Sequence, residues 1–191
     1  MQHAFTVIAG VLYIAGFVPY IRAILRKEAK PAKASWVIWT TLDTITVAGM
    51  IVKGSLNGQI VGTIIGAYVT VGLALKFGSP GWTRLDKFCL GGAVLGIALW
   101  AIFDSPTTGI VTSCSVIFLG SIPTFVSTWE DPSRENRLAW TLFWISCLFA
   151  LAAIPAWTLA DATQPVTFMA IETIEMAILL IRPRMLARAR A

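Results

Sequence analysis

Gly16-Phe17-Val18-Pro19, then a basic stretch, then Trp36, returns 104 positions later as Gly120-Ser121-Ile122-Pro123, a polar stretch and Trp140. Lys30 and Lys33 map onto Arg134 and Arg137 at the same offset, and Gln59-Ile60-Val61 returns as Gln164-Pro165-Val166 at an offset of 105. Identity between the halves is near chance. The signal is that a rare proline and a rare tryptophan keep their spacing inside matching hydropathy profiles. Membrane proteins with internal repeats of this kind are most often transporters, with the solute site between the repeats.

The surrounding composition sets the class. Of 191 residues, 57% are hydrophobic and only 13% charged, and the apolar runs have the length of bilayer spans. That excludes a soluble domain and predicts an all-α polytopic membrane protein. Seven runs, 4–25, 34–52, 59–77, 87–103, 108–129, 138–157 and 164–181, are long enough to cross as helices. Between them lie turn and breaker residues, among them Lys53-Gly54-Ser55-Leu56-Asn57-Gly58, Asp104-Ser105-Pro106, Glu130-Asp131-Pro132-Ser133 and Ala160-Asp161-Ala162-Thr163. The first segment has no basic leader region and no small-residue cleavage site, so it is expected to stay as a span. Cys89, Cys114 and Cys147 sit at scattered spacing inside apolar runs and predict neither a disulfide framework nor a metal site. They are expected to be small packing residues.

Charge sets the orientation. With seven spans, 14 of the 15 Lys and Arg residues fall on one face, Lys53 being the exception. The positive-inside rule then places the N-terminus outside and the C-terminus in the cytoplasm. The net charge of +5 is a matter of topology, and no nucleic-acid partner is expected. Six or eight spans would scatter these charges over both faces. Matching segments are four spans apart, so the two copies face the same way. The expected architecture is two parallel triple-helix bundles joined by a linker helix: 1–80, linker 81–105, and 106–191 with its basic tail of Arg182, Arg184, Arg188 and Arg190. A bacterial or archaeal plasma membrane is the expected location, with the bilayer and a small solute as partners. Monomer and homo-oligomer both fit.

Pro19 and Pro123 fall inside the first helix of each copy, where a proline removes a backbone hydrogen bond and kinks the chain. One per repeat suits a hinge, and a static kink is the alternative. Trp82, Trp100, Trp129 and Trp157 fall at span ends and suit an aromatic belt. Trp36 and Trp140, near the cytoplasmic interface, suit a belt or a gate. Trp39 and Trp144, about a turn deeper, are expected to shape a pore or pack on lipid.

Three acids lie at membrane depth: Asp43 in the second helix, Glu172 and Glu175 in the seventh. An acid there costs roughly 2.5–3.5 kcal/mol by insertion scales, so it normally faces a protein interior or a wet cavity. Trp36, Thr40, Asp43 and Val47 share one helical face, and Gln164, Phe168, Glu172 and Glu175 another. The two faces are expected to meet on one cavity, with Asp43 and Glu172 near the midplane. Substrate binding is therefore assigned to Asp43, Glu172, Trp39, Trp144, Gln59 and Gln164, and proton coupling to Asp43, Glu172 and Glu175. Gln59 and Gln164 open the third helix of each copy, where an amide serves either a solute or a helix cap. A protonated carboxyl that merely hydrogen-bonds a neighbouring helix is the bland alternative for each acid.

Three, one and three helices with a proline in the first helix of each triplet resemble the PQ-loop/SWEET superfamily of small-solute transporters. Pro19-Tyr20-Ile21-Arg22-Ala23-Ile24-Leu25-Arg26-Lys27, followed by Ser35-Trp36, is similar to that family's proline-led helix end, basic loop and serine-led second helix. The chain departs from it in having Pro19-Tyr20 and Pro123-Thr124 where the family has Pro-Gln. Gln59 and Gln164 stand near where sugar carriers place asparagine. Glu135-Asn136-Arg137-Leu138-Ala139-Trp140 is similar to the sixth-helix entry of the PnuC-type vitamin-precursor transporters, which share the three-one-three plan. The resemblance implies a rocking, alternating-access carrier, a uniporter or proton-coupled, for a sugar, amino acid or nucleoside-like solute. It also implies a pocket built by the second and third helices and hinges at Pro19 and Pro123. A ligand receptor or sorting protein on the same fold is the alternative. The only histidine is His3, and no phosphate loop or nucleophile–base spacing occurs, so neither an enzyme nor a cofactor is expected.

Overall fold

The computed structural model describes residues 1–79 and 105–188, with positions 84, 87, 88, 91, 94, 98, 101 and 102 between them. The expected linker, 81–105, falls mostly outside the described residues, as do Trp82, Cys89, Trp100 and Arg190. Among the described residues the elements are helical: α1 (Gln2–Leu25), α2 (Lys33–Lys53), α3 (Gly58–Phe77), α4 (Pro106–Gly120), α5 (Ile122–Glu130), α6 (Arg137–Ala152) and α7 (Leu159–Arg188). Five stretches are long and apolar enough to cross a membrane: α1, α2, α3, α4 with α5, and α7. The described residues thus form helices without strands, several of them long and apolar enough for an integral membrane protein.

Three boundaries differ from those expected. The span at 108–129 is broken: α4 ends at Gly120, Ser121 turns, and α5 opens with Ile122-Pro123. Proline is at ease in a first turn, where its missing N–H would have had no partner. Pro19, by contrast, lies within an unbroken α1. The sixth run stops at Ala152, 16 residues in. Pro155 lies three residues further on, and proline turns the residue before it away from helix. The last helix begins at Leu159 and not at 164, because Thr158 and Asp161 cap it. The Asp161 N–H donates to Thr158 Oγ1 at 3.2 Å and the Thr158 hydroxyl to Asp161 Oδ2 at 2.6 Å, a variant of the capping box. Gln164 is therefore inside α7, where the sequence had it opening the helix.

Helix α3 lies against α1 and α2, and α7 against α4, α5 and α6; α1 also packs on α6, and α2 on α4. Glycine makes the α1–α3 crossing tight. A Cβ at Gly62 would come within 2.7 Å of the Gly10 carbonyl oxygen, and one at Gly66 would run into the Phe17 ring. Gly58, Gly62 and Gly66 recur every four residues, the small-residue spacing that lets membrane helices approach closely. The α1–α2 and α5–α6 loops meet at one end, the basic end. There the Lys30 N–H donates to the Arg134 carbonyl at 2.8 Å. At the far end, where α1 begins, Gln2 Nε2 donates to the Ile154 carbonyl at 3.4 Å.

Candidate functional site

Between these ends lies a small cavity of about 40 Å³, walled by α1 (Tyr13, Phe17), α2 (Trp36, Trp39, Asp43), α3 (Thr63), α4 (Ile117), α6 (Trp140, Phe143) and α7 (Phe168, Ile171, Glu172). At about 10–15 Å³ per water, it has room for roughly three or four. Both acids assigned near the midplane are in its wall. Asp43 is 2% exposed and Glu172 3%. Tyr13 Oη donates to Glu172 Oε1 at 3.0 Å, while Glu172 Oε2 and Asp43 Oδ1 have no hydrogen-bond partner. A buried acceptor left bare costs about 1–3 kcal/mol, and such an exception in a folded protein calls for a reason.

The aromatic side chains turn their polar atoms elsewhere. Trp36 Nε1 donates to Tyr20 Oη at 3.3 Å, Trp39 Nε1 to the Ile117 carbonyl and to Ser121 Oγ, each at 3.2 Å, and Trp140 Nε1 to Glu135 Oε2 at 2.8 Å. The rings pack on one another, Trp36 on Trp39 at 5.2 Å and Tyr13 stacked on Phe143 at 4.5 Å between centroids. Together they close the basic end of the cavity. Beneath them Glu135, in the α5–α6 loop, is buried and adjoins the Tyr20 hydroxyl. Burial pushes its carboxyl up to about 7, against the pull of its bonds from Trp140 and Tyr20.

The far end is closed by amides. Asn57 Nδ2 donates to Gln164 Oε1 at 2.8 Å, Gln164 Nε2 to Gln59 Oε1 at 3.1 Å, and Gln59 Nε2 to Cys147 Sγ at 3.1 Å. Asn57 also caps α3, its Oδ1 accepting from the Ile60 N–H at 3.1 Å. Beyond this chain a hollow of about 290 Å³, lined by Gln2, His3, Thr6, Asn57, Asp161 and Pro165 among others, lies at the far end. Along α3, Gln59 stands between Asn57 in that hollow and Thr63 in the cavity. Along α7, Gln164 stands between Asp161 and Phe168.

The residues expected at the site are thus brought together in part. Asp43, Glu172 and Trp39 share the cavity. Gln59 and Gln164 form a lock at its far end, bonded to each other and outside its wall. Trp144 is half-buried and donates to Thr173 Oγ1 at 3.0 Å, away from the cavity. One residue along a helix turns a side chain by about 100°, so it is Phe143 that faces inward. Glu175 is fully buried outside the cavity. The Thr128 hydroxyl within its reach donates to the Thr124 carbonyl at 3.0 Å, so neither Glu175 oxygen has a partner. Tyr13, Thr63, Phe143 and Glu135 were not anticipated. The internal offset held the missing signal for one of them, since 104 positions past Trp39 stands Phe143 and not Trp144.

Eight of the twelve wall residues pair at that offset, while Phe17, Asp43, Ile171 and Glu172 have no counterpart in the wall. Tyr13 and Ile117, Trp36 and Trp140, and Trp39 and Phe143 are each 104 apart, and Thr63 and Phe168 are 105 apart. The contacts at the two ends obey it too: Lys30 meets Arg134, and Gln59 meets Gln164. Cys114 and Cys147 are buried free thiols. Among the described residues no three His, Cys, Asp or Glu side chains gather as a metal site. Set against models of protein families, curated proteins and solved structures, the chain matches none.

Proposed function

We propose that this chain is a membrane transporter that carries a small polar solute by alternating access. It would do so with two like-facing three-helix bundles, α1–α3 and α4–α7, related by a pseudo-two-fold axis along the membrane normal and joined by a linker span that brings the total to seven. The observation that carries the reading is the pairing of residues around the cavity. Four pairs of residues 104 or 105 positions apart line it, and one pair at the same offset is bonded at each end, Lys30 with Arg134 and Gln59 with Gln164. A cavity on such an axis can be reached from either side by tilting one bundle against the other, which is the working plan of repeat-built carriers. The helix contacts support the same plan: α1 on α6 is matched by α4 on α2, and α3 and α7 each sit inside their own triplet. In this reading Pro19, within α1, and Pro123, in the first turn of α5, are the hinges about which the basic half swings. The basic end is taken as cytoplasmic.

Two-sided labelling tests this. Thr63→Cys, with the native cysteines replaced, is reconstituted in liposomes and exposed to a membrane-impermeant thiol reagent from either face. Alternating access makes the thiol reactive from both sides. Reaction from one side only, or from neither, overturns the carrier.

A further inference from the structure

We infer that, if the carrier reading holds, its solute is a small organic cation, an alkylammonium or quaternary ammonium, held between the aromatic rings and the carboxyls of Asp43 and Glu172. The cavity supplies what such a cation needs and little that any other solute could use. Two buried carboxyl oxygens in its wall have no partner. The three indole N–H groups are all committed to protein acceptors, to Tyr20, to Ile117 and Ser121, and to Glu135. The tryptophans therefore offer ring carbon and π-density, the surface that attracts a poorly hydrated cation.

Alternatives fail on the same inventory. An anion would meet two acids. A zwitterion such as an amino acid would bring a carboxylate into a wall that holds no Lys or Arg, and an unpaired buried charge is very costly. A sugar needs a ring of donors and acceptors, yet the remaining hydroxyls are spent: Tyr13 donates to Glu172, and Thr63 to the Gln59 carbonyl at 2.9 Å. At about 40 Å³ the space suits an ion near the size of methylammonium. Anything larger requires the tryptophan rings to part, as a carrier's opening would make them do.

The test is equilibrium binding to the purified full chain, followed by tryptophan fluorescence. Methylammonium, tetramethylammonium and choline are compared with 3,3-dimethyl-1-butanol, the uncharged isostere of choline, and with glucose and glycine. A cation should bind at least tenfold more tightly than the isostere. Asp43→Asn and Trp39→Leu should each weaken it at least tenfold and Trp39→Phe by less than Trp39→Leu, while Trp144→Phe, outside the wall, keeps it. A melting curve for each variant separates lost binding from lost fold, and Asp43→Glu should restore part of the affinity. Equal binding of choline and its isostere, or binding of glucose or glycine with no cation bound, overturns the inference. Two-sided labelling of Thr63→Cys is read beside it. Alternating labelling without cation binding sinks the cation and spares the carrier, whereas cation binding with one-sided labelling spares the site and sinks the carrier.

Discussion

Glu135→Gln should flatten the acid side of the stability profile. Glu135 is buried among Trp140, Tyr20 of α1 and, further off, Glu175 and Glu172 of α7. Its carboxyl titrates near 7, against an ordinary value of 4.5. The sign follows from proton counting. Between those values the folded chain binds more protons than the unfolded one, so its stability falls as pH rises. Below about 4.5 both forms are protonated and the penalty is absent; above about 7 both are ionised and it is complete. At 1.36 kcal/mol per pH unit the full span is about 3 kcal/mol. Glutamine keeps the acceptor for the Trp140 N–H and removes the titration. The assay is thermal unfolding of wild type and variant from pH 4.5 to 8, read by tryptophan fluorescence. The difference between the two curves should decline by about 3 kcal/mol over that window and then level off. Parallel curves would refute the reasoning, because they would mean that Glu135 ionises in the folded protein as freely as in water.

Three further outcomes test the packing. Gly62→Val should leave little folded protein in detergent, because the new side chain meets the Gly10 carbonyl; size-exclusion profiles check this, and Gly72→Val, which meets open space, is the control. Gln164→Leu leaves the Asn57 donor and the Gln59 acceptor bare and should cost about 1–3 kcal/mol, visible as a lower melting temperature. Thr158→Ala removes the cap of α7 and should cost about 1 kcal/mol, with hydrogen exchange speeding up around Leu159–Thr163 and unchanged in α2.

The sequence carried the helices well where they were long and uniformly apolar, as in 34–52 against Lys33–Lys53, because bilayer length and backbone satisfaction leave few other solutions. It carried Asp43 and Glu172 to one cavity because helical periodicity turns each with its neighbours. It failed where one side chain decides a boundary. Asp161 looks like a break until its bond with Thr158 is known, and Ser121 looks like mid-span until Pro123 is seen opening a new first turn. It failed also with Trp144, which stands one residue past Phe143, the position 104 beyond Trp39. Glu135 escaped because a loop acid gives no sign of burial until the tryptophan and tyrosine that cover it are folded over it.

The Lys30–Arg134 bond joins main chain to main chain. Such a clasp is written in atoms that every amino acid but proline supplies, so alanine scanning across both loops would pass over it without a trace. Its strength can be probed only by editing the peptide group itself, with an ester in place of the amide at position 30. If the loops must part for the molecule to cycle, that single exchange should hasten each turnover while leaving every side chain as it was.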